Sequence, residues 1–268
     1  MQIHPTAIVH PMAELGPDVE VGPYCVIGEH VRIGRATRLV SHVVVDGWTE
    51  VGERCTLWPF ASIGTPPQHL HYKGEPTRVI IGHDNVLREY VTVNRATVEG
   101  GGLTRLGNMN FLMAYSHIAH DCELGDHIIM ANSANLAGHI TIGDHAVIGG
   151  LAGIHQFVRI GAYAMVGGCT PVAQDVPPFM RAAGGYRGRL YGLNSIGLRR
   201  HGFSAERISV LKQVYQILFR SGMRLAEAIK QVREEFKDQP DVMTLLTFLD
   251  SSKRGICRSG SKDEESEG

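Results

Sequence analysis

The chain has 268 residues, 43% of them apolar, and its 26 Lys and Arg nearly balance 27 Asp and Glu. That length and apolar fraction suffice for a sizeable core, and a net charge of −1 argues against a surface built to bind nucleic acid. The longest apolar stretches fall far short of the roughly 20 residues that cross a bilayer, so no membrane insertion is expected; the repeat starts at Ile3, leaving no room for a signal peptide, and a cytosolic chain is expected.

A six-residue period begins at once, as IHPTAI, VHPMAE, LGPDVE, VGPYCV, IGEHVR and IGRATR, and runs to Gly64. It resumes at Ile81 and, after a short break, holds without a slip from Leu106 to Pro177. The first position is Ile, Leu or Val, with Met130 once; the second is often Gly and the fifth is small or β-branched. Fifth and first positions lie two apart, so both face one side of an extended chain. That side must be a narrow interior. Three hexads then make an 18-residue triangular turn with Gly-tolerant corners, and turns stack at roughly 4.8 Å into a prism on the order of 40 Å long. A β-sandwich would not keep a phase of six for this distance. The hexads resemble the left-handed parallel β-helix of the hexapeptide-repeat acyltransferases; the left hand is implied by that resemblance, since crossovers are ordinarily right-handed.

The five cysteines lack CxxC spacing. Cys25, Cys55 and Cys122 fall at fifth positions and Cys169 one residue earlier, which makes them small fillers and not a metal or redox cluster. Two interruptions break the period. One, at about 65–80, carries three prolines and reads as a loop thrown outward; the other, at 99–105, contains Gly100-Gly101-Gly102. Each is open to two readings, a functional excursion or a tolerated insertion. The coil is expected to occupy 1–185 and a small α-helical domain 186–258. In that domain Ser204 caps a helix carrying Ile208, Leu211, Val214, Tyr215 and Leu218, and further helices start near Leu225 and Val242. An acidic, disordered tail is expected at 259–268. From Arg181 to Arg224 there are nine basic residues against Glu206 alone. This is either a solvated face or a dock for an acidic or phosphate-bearing partner.

The 18-residue turn also serves as a ruler for the fourteen histidines. It places Gly138 one turn beyond His120, Gln156 two turns beyond it, and His139 one turn beyond Asp121, with His155 near the same edge. A neutral imidazole, a carboxylate to orient it and an uncovered N–H form a kit for acyl transfer. His120 and Asp121 are sequence neighbours that need not touch, so the orienting role is the weaker inference. His117, His120 and His139 offer a zinc alternative of the carbonic-anhydrase kind, but the spacing of three between His117 and His120 does not match the five of that family.

HIAHDC, ANSANLAGH, HQFVRIGA, VGGC and AQDVPPF, in this order, resemble the UDP-N-acetylglucosamine 3-O-acyltransferases of the lipid A pathway. The likeness runs from Ile3 to about Phe248 and takes in the KGEPTRV loop and GLRRHGFS. It implies a homotrimer with clefts between subunits, in which an (R)-3-hydroxyacyl group passes from acyl carrier protein to the sugar 3-hydroxyl, with no cofactor and no metal. By the same resemblance His120 is the general base, Asp121 its neighbouring acid and Gly138 the oxyanion N–H. Gln68, His69, His117, His139, His155 and Gln156 would contact substrate, and Asn194 and Arg200 would hold the nucleotide. Met165 and Gly168 would line the acyl groove, the small Gly168 suggesting a longer chain. Arg199, Arg200 and Arg220 would dock the carrier protein.

The chain departs from that pattern at the loop, which reads Gln68-His69-Leu70-His71 where Gln-Asp-Leu-Lys is usual. Relatives that acylate a 3-amino sugar nucleotide, giving an amide, therefore stay in view. Ile196 and His201 stand where Glu and Arg are common, and Gly185 where Asn is common.

Overall fold

A computed structural model describes residues 1–258, so the tail expected at 259–268 lies outside the described residues. The period of six is laid down as two-residue strands, each with one outward and one inward side chain; in Glu20–Val21, Val26–Ile27 and Arg32–Ile33 the first residue is exposed and the second buried. The strands assort into sheets of eleven, nine and eight, neighbours in a sheet belonging to successive coils. The architecture is a left-handed parallel β-helix of triangular section followed by helices. First and fifth positions fill the interior, as Val19, Val21, Cys25 and Ile27 do, each at most 3% exposed. Cys25, Cys55 and Cys122 are buried free thiols and Cys169 is exposed.

The corners are built differently from the sequence expectation. Left-handed φ falls on the fourth residue of the hexad, which is rarely Gly: Tyr24 at 58°, His42 at 53°, Phe60 at 65°, Asp121 at 61° and His139 at 61°. Apart from Gly64, at 75°, the second-position glycines keep ordinary φ and answer to crowding between coils. A Cβ on Gly22 would lie 1.8 Å from the Val40 carbonyl oxygen, and one on Gly52 2.4 Å from that of Gly82. Each left-handed non-Gly residue costs about 1–2 kcal/mol, offset by stacking of corner side chains from coil to coil. Tyr24, His42, Phe60, Tyr90 and Tyr115 form one such ladder, with ring centroids 4.8–4.9 Å apart.

The two interruptions stretch the register without breaking it. Leu57 pairs with Leu87, thirty positions on instead of eighteen, so the first loop adds twelve residues. Leu87 pairs with Leu112, twenty-five on, so the second adds seven. Four-residue strands, Ser62–Thr65 and Arg78–Ile81, flank the first loop and trim it to 66–77.

The three faces of the prism differ in chemistry. The eight-stranded sheet points Glu14, Arg32, Glu50, Arg105 and Glu123 outward, with ion pairs Arg32–Glu14 and Arg78–Glu50. The nine-stranded sheet points out Ile8, Val26, Val44, Ser62, Thr92, His117, Asn135, Gly153 and Pro171, with no Asp, Glu, Lys or Arg.

Past the coil, the strand Arg189–Leu193 turns back antiparallel onto Met180–Ala183, so sheet structure passes the boundary expected at 185. Four helices follow: α1 (Ser195–Arg200), α2 (Ala205–Arg220), α3 (Leu225–Glu235) and α4 (Pro240–Asp250). The Ser204 hydroxyl accepts from the Arg207 N–H as N-cap of α2, whose buried stripe is Ile208, Leu211, Val214, Tyr215 and Leu218. Helix α1, at six residues, is too short to show a periodicity. A strap after α4 lies along the coil, held by backbone bonds between Asp175 and both Gly255 and Cys257. No helix among the described residues is long and apolar enough to cross a membrane.

Candidate active site

His117 and Ile118 form a strand of the uncharged sheet, and Ala119 to Cys122 turn the corner beyond it. In an extended chain, consecutive side chains point to opposite faces. The left-handed Asp121 breaks that alternation and gathers both side chains, placing His120 Nδ1 2.7 Å from Asp121 Oδ2. Both are buried, with side-chain exposures of 7% and 1%. Asp121 is held from behind: the Thr97 N–H donates to Oδ1 at 2.9 Å, the Thr97 hydroxyl to Oδ2 at 2.7 Å, and the Asp121 N–H to the Thr104 hydroxyl at 2.8 Å. An ionised carboxylate only accepts, so His120 Nδ1 carries the proton and Nε2 keeps its lone pair.

One coil on, Gly138 lies against the imidazole so closely that a Cβ would sit 2.5 Å from His120 Cε1. The third-position N–H of a hexad finds no backbone partner in the coil, which is why prolines stand there at Pro5, Pro11, Pro17, Pro23 and Pro59; where it is bonded, as at Asn108 and Asp126, a side chain of the next turn accepts. Gly138 occupies that position, and among the described residues its N–H donates to no protein group.

The other histidines surround this pair. The His139 ring meets His120 edge-on at 5.2 Å and stacks on Phe157 at 4.5 Å, with Nε2 3.7 Å from Asp121 Oδ2. Burial pushes the His139 pKa down, Asp121 opposing and His120 and His69 reinforcing. His117 is hydrogen-bonded through Nδ1 to the Thr92 hydroxyl at 2.7 Å; burial first, and His120 second, lower its pKa. His69 brings its ring edge-on to within 5.4 Å of His120, and its Nδ1 is buried without a hydrogen-bond partner. Gln68, His117, His120, Asn135, Gly138, His155 and Gln156 line one groove of about 510 Å³, whose walls are otherwise small or apolar, among them Ala119, Ala137, Ile154 and Val172.

His120, Asp121 and His139 present ligand atoms within 4.8 Å of one another. To hold an ion they would have to break the His120–Asp121 bond. His117, the third imidazole of the zinc alternative, lies outside this group and faces Thr92.

The remaining expected residues lie elsewhere on the chain. Asn194 caps α1, its Oδ1 accepting from the Gly197 N–H and its Nδ2 donating to the Tyr163 carbonyl. Arg199 and Arg200 are exposed in the last turn of α1. Arg220 closes α2 and lines a separate groove of about 740 Å³ with Lys212, Tyr215 and Phe219. Met165 lies on the eleven-stranded sheet, and Gly168 is exposed on the edge just after it, whereas His120 occupies the edge between the other two sheets. A single chain does not bring these residues to the groove.

Three contributors were not read from the sequence. Thr97 sits just before the second interruption and Thr104 within it, and its Gly run was the available signal. Arg254, from the strap, places Nη2 3.1 Å from His155 Nδ1 and donates to the Ala173 carbonyl; nothing local marks it. The Gln156 carbonyl is 3.3 Å from the same His155 nitrogen. A guanidinium can only donate, and its contact is shorter, so His155 Nδ1 accepts and Nε2 carries the ring proton.

A family model described as Udp N-acetylglucosamine O-acyltransferase, Domain 2, matches residues 175–257, and one for six bacterial transferase hexapeptide repeats matches 1–35. The acyl-(acyl-carrier-protein)–UDP-N-acetylglucosamine O-acyltransferase of Thermodesulfovibrio yellowstonii is 57% identical over 96% of this chain and 99% of its own length. The chain belongs to the UDP-N-acetylglucosamine O-acyltransferase family. A second relative of that name, from Syntrophobacter fumaroxidans, is 50% identical over 96% of this chain and all of its own. The crystal structure of the UDP-N-acetylglucosamine O-acyltransferase of Moraxella catarrhalis superposes with a TM-score of 0.93 at 41% identity, covering 96% of this chain and 100% of that one. The protein is an acyltransferase.

Proposed function

We propose that this acyltransferase moves an (R)-3-hydroxyacyl group from acyl carrier protein to the 3-hydroxyl of UDP-N-acetylglucosamine, the first step of lipid A biosynthesis. The observation that carries the reading is His120, proton on Nδ1 toward Asp121 and lone pair on Nε2, packed against the free N–H of Gly138. His120 Nε2 takes the hydroxyl proton as the sugar oxygen attacks the thioester carbonyl carbon. Asp121 stabilises the imidazolium that forms, and the Gly138 N–H donates to the tetrahedral oxyanion. The C–S bond then breaks, and the leaving thiolate takes the proton from Nε2. A thioester is already activated, so these groups suffice. The five free thiols among the described residues fit a reducing cytoplasm.

The working unit is a homotrimer in this reading. Its support is the uncharged nine-stranded face, which meets the Val86, Phe111, Ile129, Val147 and Met165 stretch of the eleven-stranded sheet along the aromatic ladder. Packing one face on the other face of a neighbouring copy would bring Met165, Gly168, Asn194 and Arg200 to a partner's groove. Gly168 is exposed and carries no side chain there, a Cβ meeting only the Gly150 backbone with its carbonyl oxygen at 3.3 Å, and a long acyl chain fits that reading.

A second reading, amide formation on a 3-amino sugar nucleotide, is favoured by His69 and His71 in the loop where the family usually carries Asp and Lys, with His69 in ring contact with the base. Incubation with both sugar nucleotides and a graded series of 3-hydroxyacyl carrier proteins, with product masses measured, separates the two. Ester product from UDP-N-acetylglucosamine and long-chain preference are expected. Amide product alone overturns the acceptor, and His120→Ala retaining near-wild-type turnover overturns the mechanism.

A further inference from the structure

The short segment from Asn94 to Thr97 holds two parts of the site at once. Its far end, Thr97, grips Asp121. Its near end grips the 66–77 loop: Asn94 Nδ2 donates to the Thr65 hydroxyl at 3.1 Å, Arg95 Nη1 to the Gly64 carbonyl at 2.9 Å, Arg95 Nε to the Tyr72 hydroxyl at 2.8 Å, and the Thr77 hydroxyl to the Ala96 carbonyl.

Arg95 is the anomaly in this set. It is 8% exposed, and among the described residues no carboxylate lies within ion-pair distance of it. An unpaired buried guanidinium is costly to a fold, and a neutral side chain would fill the same core without that cost. Its charge is eased by the rings of Trp48 and Tyr72, 5.8 and 5.5 Å away. Gly47 makes the room, since a Cβ there would stand 2.3 Å from Nη1. The loop itself has little core: Gln68, Leu70 and His71 are exposed, Leu70 completely. The Tyr72 hydroxyl that accepts from Arg95 donates in turn to the Glu75 carbonyl at 2.6 Å, so the guanidinium is tied into the loop's own bonds. A planar fork can reach the Gly64 carbonyl and the Tyr72 oxygen together, which a lysine ammonium cannot do in the same geometry.

We propose that Arg95 is a positioning residue, which through Tyr72 sets the 66–77 loop so that Gln68 and His69 face His120. The inference rests on the proposed function for what Gln68 and His69 recognise, namely the sugar of the acceptor. Arg95 touches neither reactant, so its effect belongs to acceptor binding and not to the chemical step.

The test uses Tyr72→Phe, which deletes one oxygen, with Arg95→Lys and the double variant, each assayed with sugar nucleotide and acyl carrier protein varied separately. A charged hydrogen bond of this kind supports a rise of about tenfold in KM for the sugar nucleotide, with the carrier KM and kcat within about threefold of wild type. Tyr72→Phe also removes the hydroxyl's bond to the Glu75 carbonyl and Arg95→Lys the bond to the Gly64 carbonyl. The Arg95–Tyr72 bond is common to both, so the double variant should lose less than the two single losses combined. Tryptic cleavage after Lys73, which is exposed in the loop, should quicken in both single variants at unchanged Tm. An unchanged sugar KM in Tyr72→Phe overturns the proposal. So does a loss shared equally by both substrates and accompanied by a lower Tm, since that is a structural role. His120→Ala run alongside tells the two readings apart: if it retains turnover, the proposed function fails, while cleavage at Lys73 still reports on the Arg95–Tyr72 bond.

Discussion

Gly138→Ala should disable the base without unfolding the protein. Gly138 has an ordinary φ, so alanine is free to adopt its backbone conformation. The new methyl would stand 2.5 Å from His120 Cε1, 2.8 Å from Nε2 and 3.0 Å from Nδ1. Ordinary contact begins at 3.4 Å, so the ring must recede from 2.5 Å by about 0.9 Å. A retreat of that size breaks the 2.7 Å bond to Asp121 or swings Nε2 from the hydroxyl it must reach. Misplacement by about 1 Å costs roughly 100-fold, and the whole contribution of a general base is about 100- to 10,000-fold. The expected loss in kcat is therefore about 100- to 1,000-fold, with Tm within a few degrees of wild type. Steady-state kinetics and thermal unfolding on the same preparation measure both. Gly185→Ala, where a Cβ meets nothing within 4 Å, is the control and should be near wild type. A Gly138→Ala enzyme within threefold of wild-type kcat would refute the assigned packing of base against glycine.

Thr97→Val removes the hydroxyl donor to Asp121 Oδ2 and the acceptor for the Gly100 N–H, so denaturant unfolding should show a loss of about 1–3 kcal/mol together with reduced kcat. Gly22→Ala, far from the groove, should cost about 3 kcal/mol because its Cβ would lie 1.8 Å from a backbone oxygen of the next coil; an unchanged Tm would contradict the crowding account of the second-position glycines. His117, His139 and His145 all have pKa values pushed below the usual 6.5 or so, chiefly by burial. Each binds fewer protons folded than unfolded as pH drops below about 6.5, so their stabilisation is complete above that pH and is lost beneath it. Tm should fall as pH drops below about 6.5, and His145→Gln should flatten the slope; identical slopes would show that His145 plays no part.

The period of six made the prism and its three sheets legible, because inward residues at first and fifth positions follow from strand alternation alone. The ruler of eighteen found Gly138 over His120 because no insertion lies between them. It could not find what the insertions bring. Thr97 reaches Asp121 across twenty-four positions and Arg95 reaches Tyr72 backward across the outward loop, at spacings that no repeat sets. The contact of His120 with Asp121 was also hidden, since it depends on a left-handed backbone at an aspartate, a conformation that residue type does not announce. Asn194 was expected to hold the nucleotide through the family resemblance alone; that it caps α1 was not legible, because that helix was too short to read. Arg254 arrives from the end of the chain through a strap with no pattern of its own.

The thirty-residue step between Leu57 and Leu87 has a thermodynamic meaning. Closing a loop costs about 1.5RT times the logarithm of its length, so lengthening the step from eighteen to thirty residues adds only about 0.5 kcal/mol. A stacked coil can therefore eject a dozen residues at a corner and rejoin its own register almost without penalty. What limits such an excursion is keeping it in one shape once outside, and a single buried cation beneath it answers that need. In such a fold, recognition can change by rewriting a loop while the coils that hold the base stay as they are.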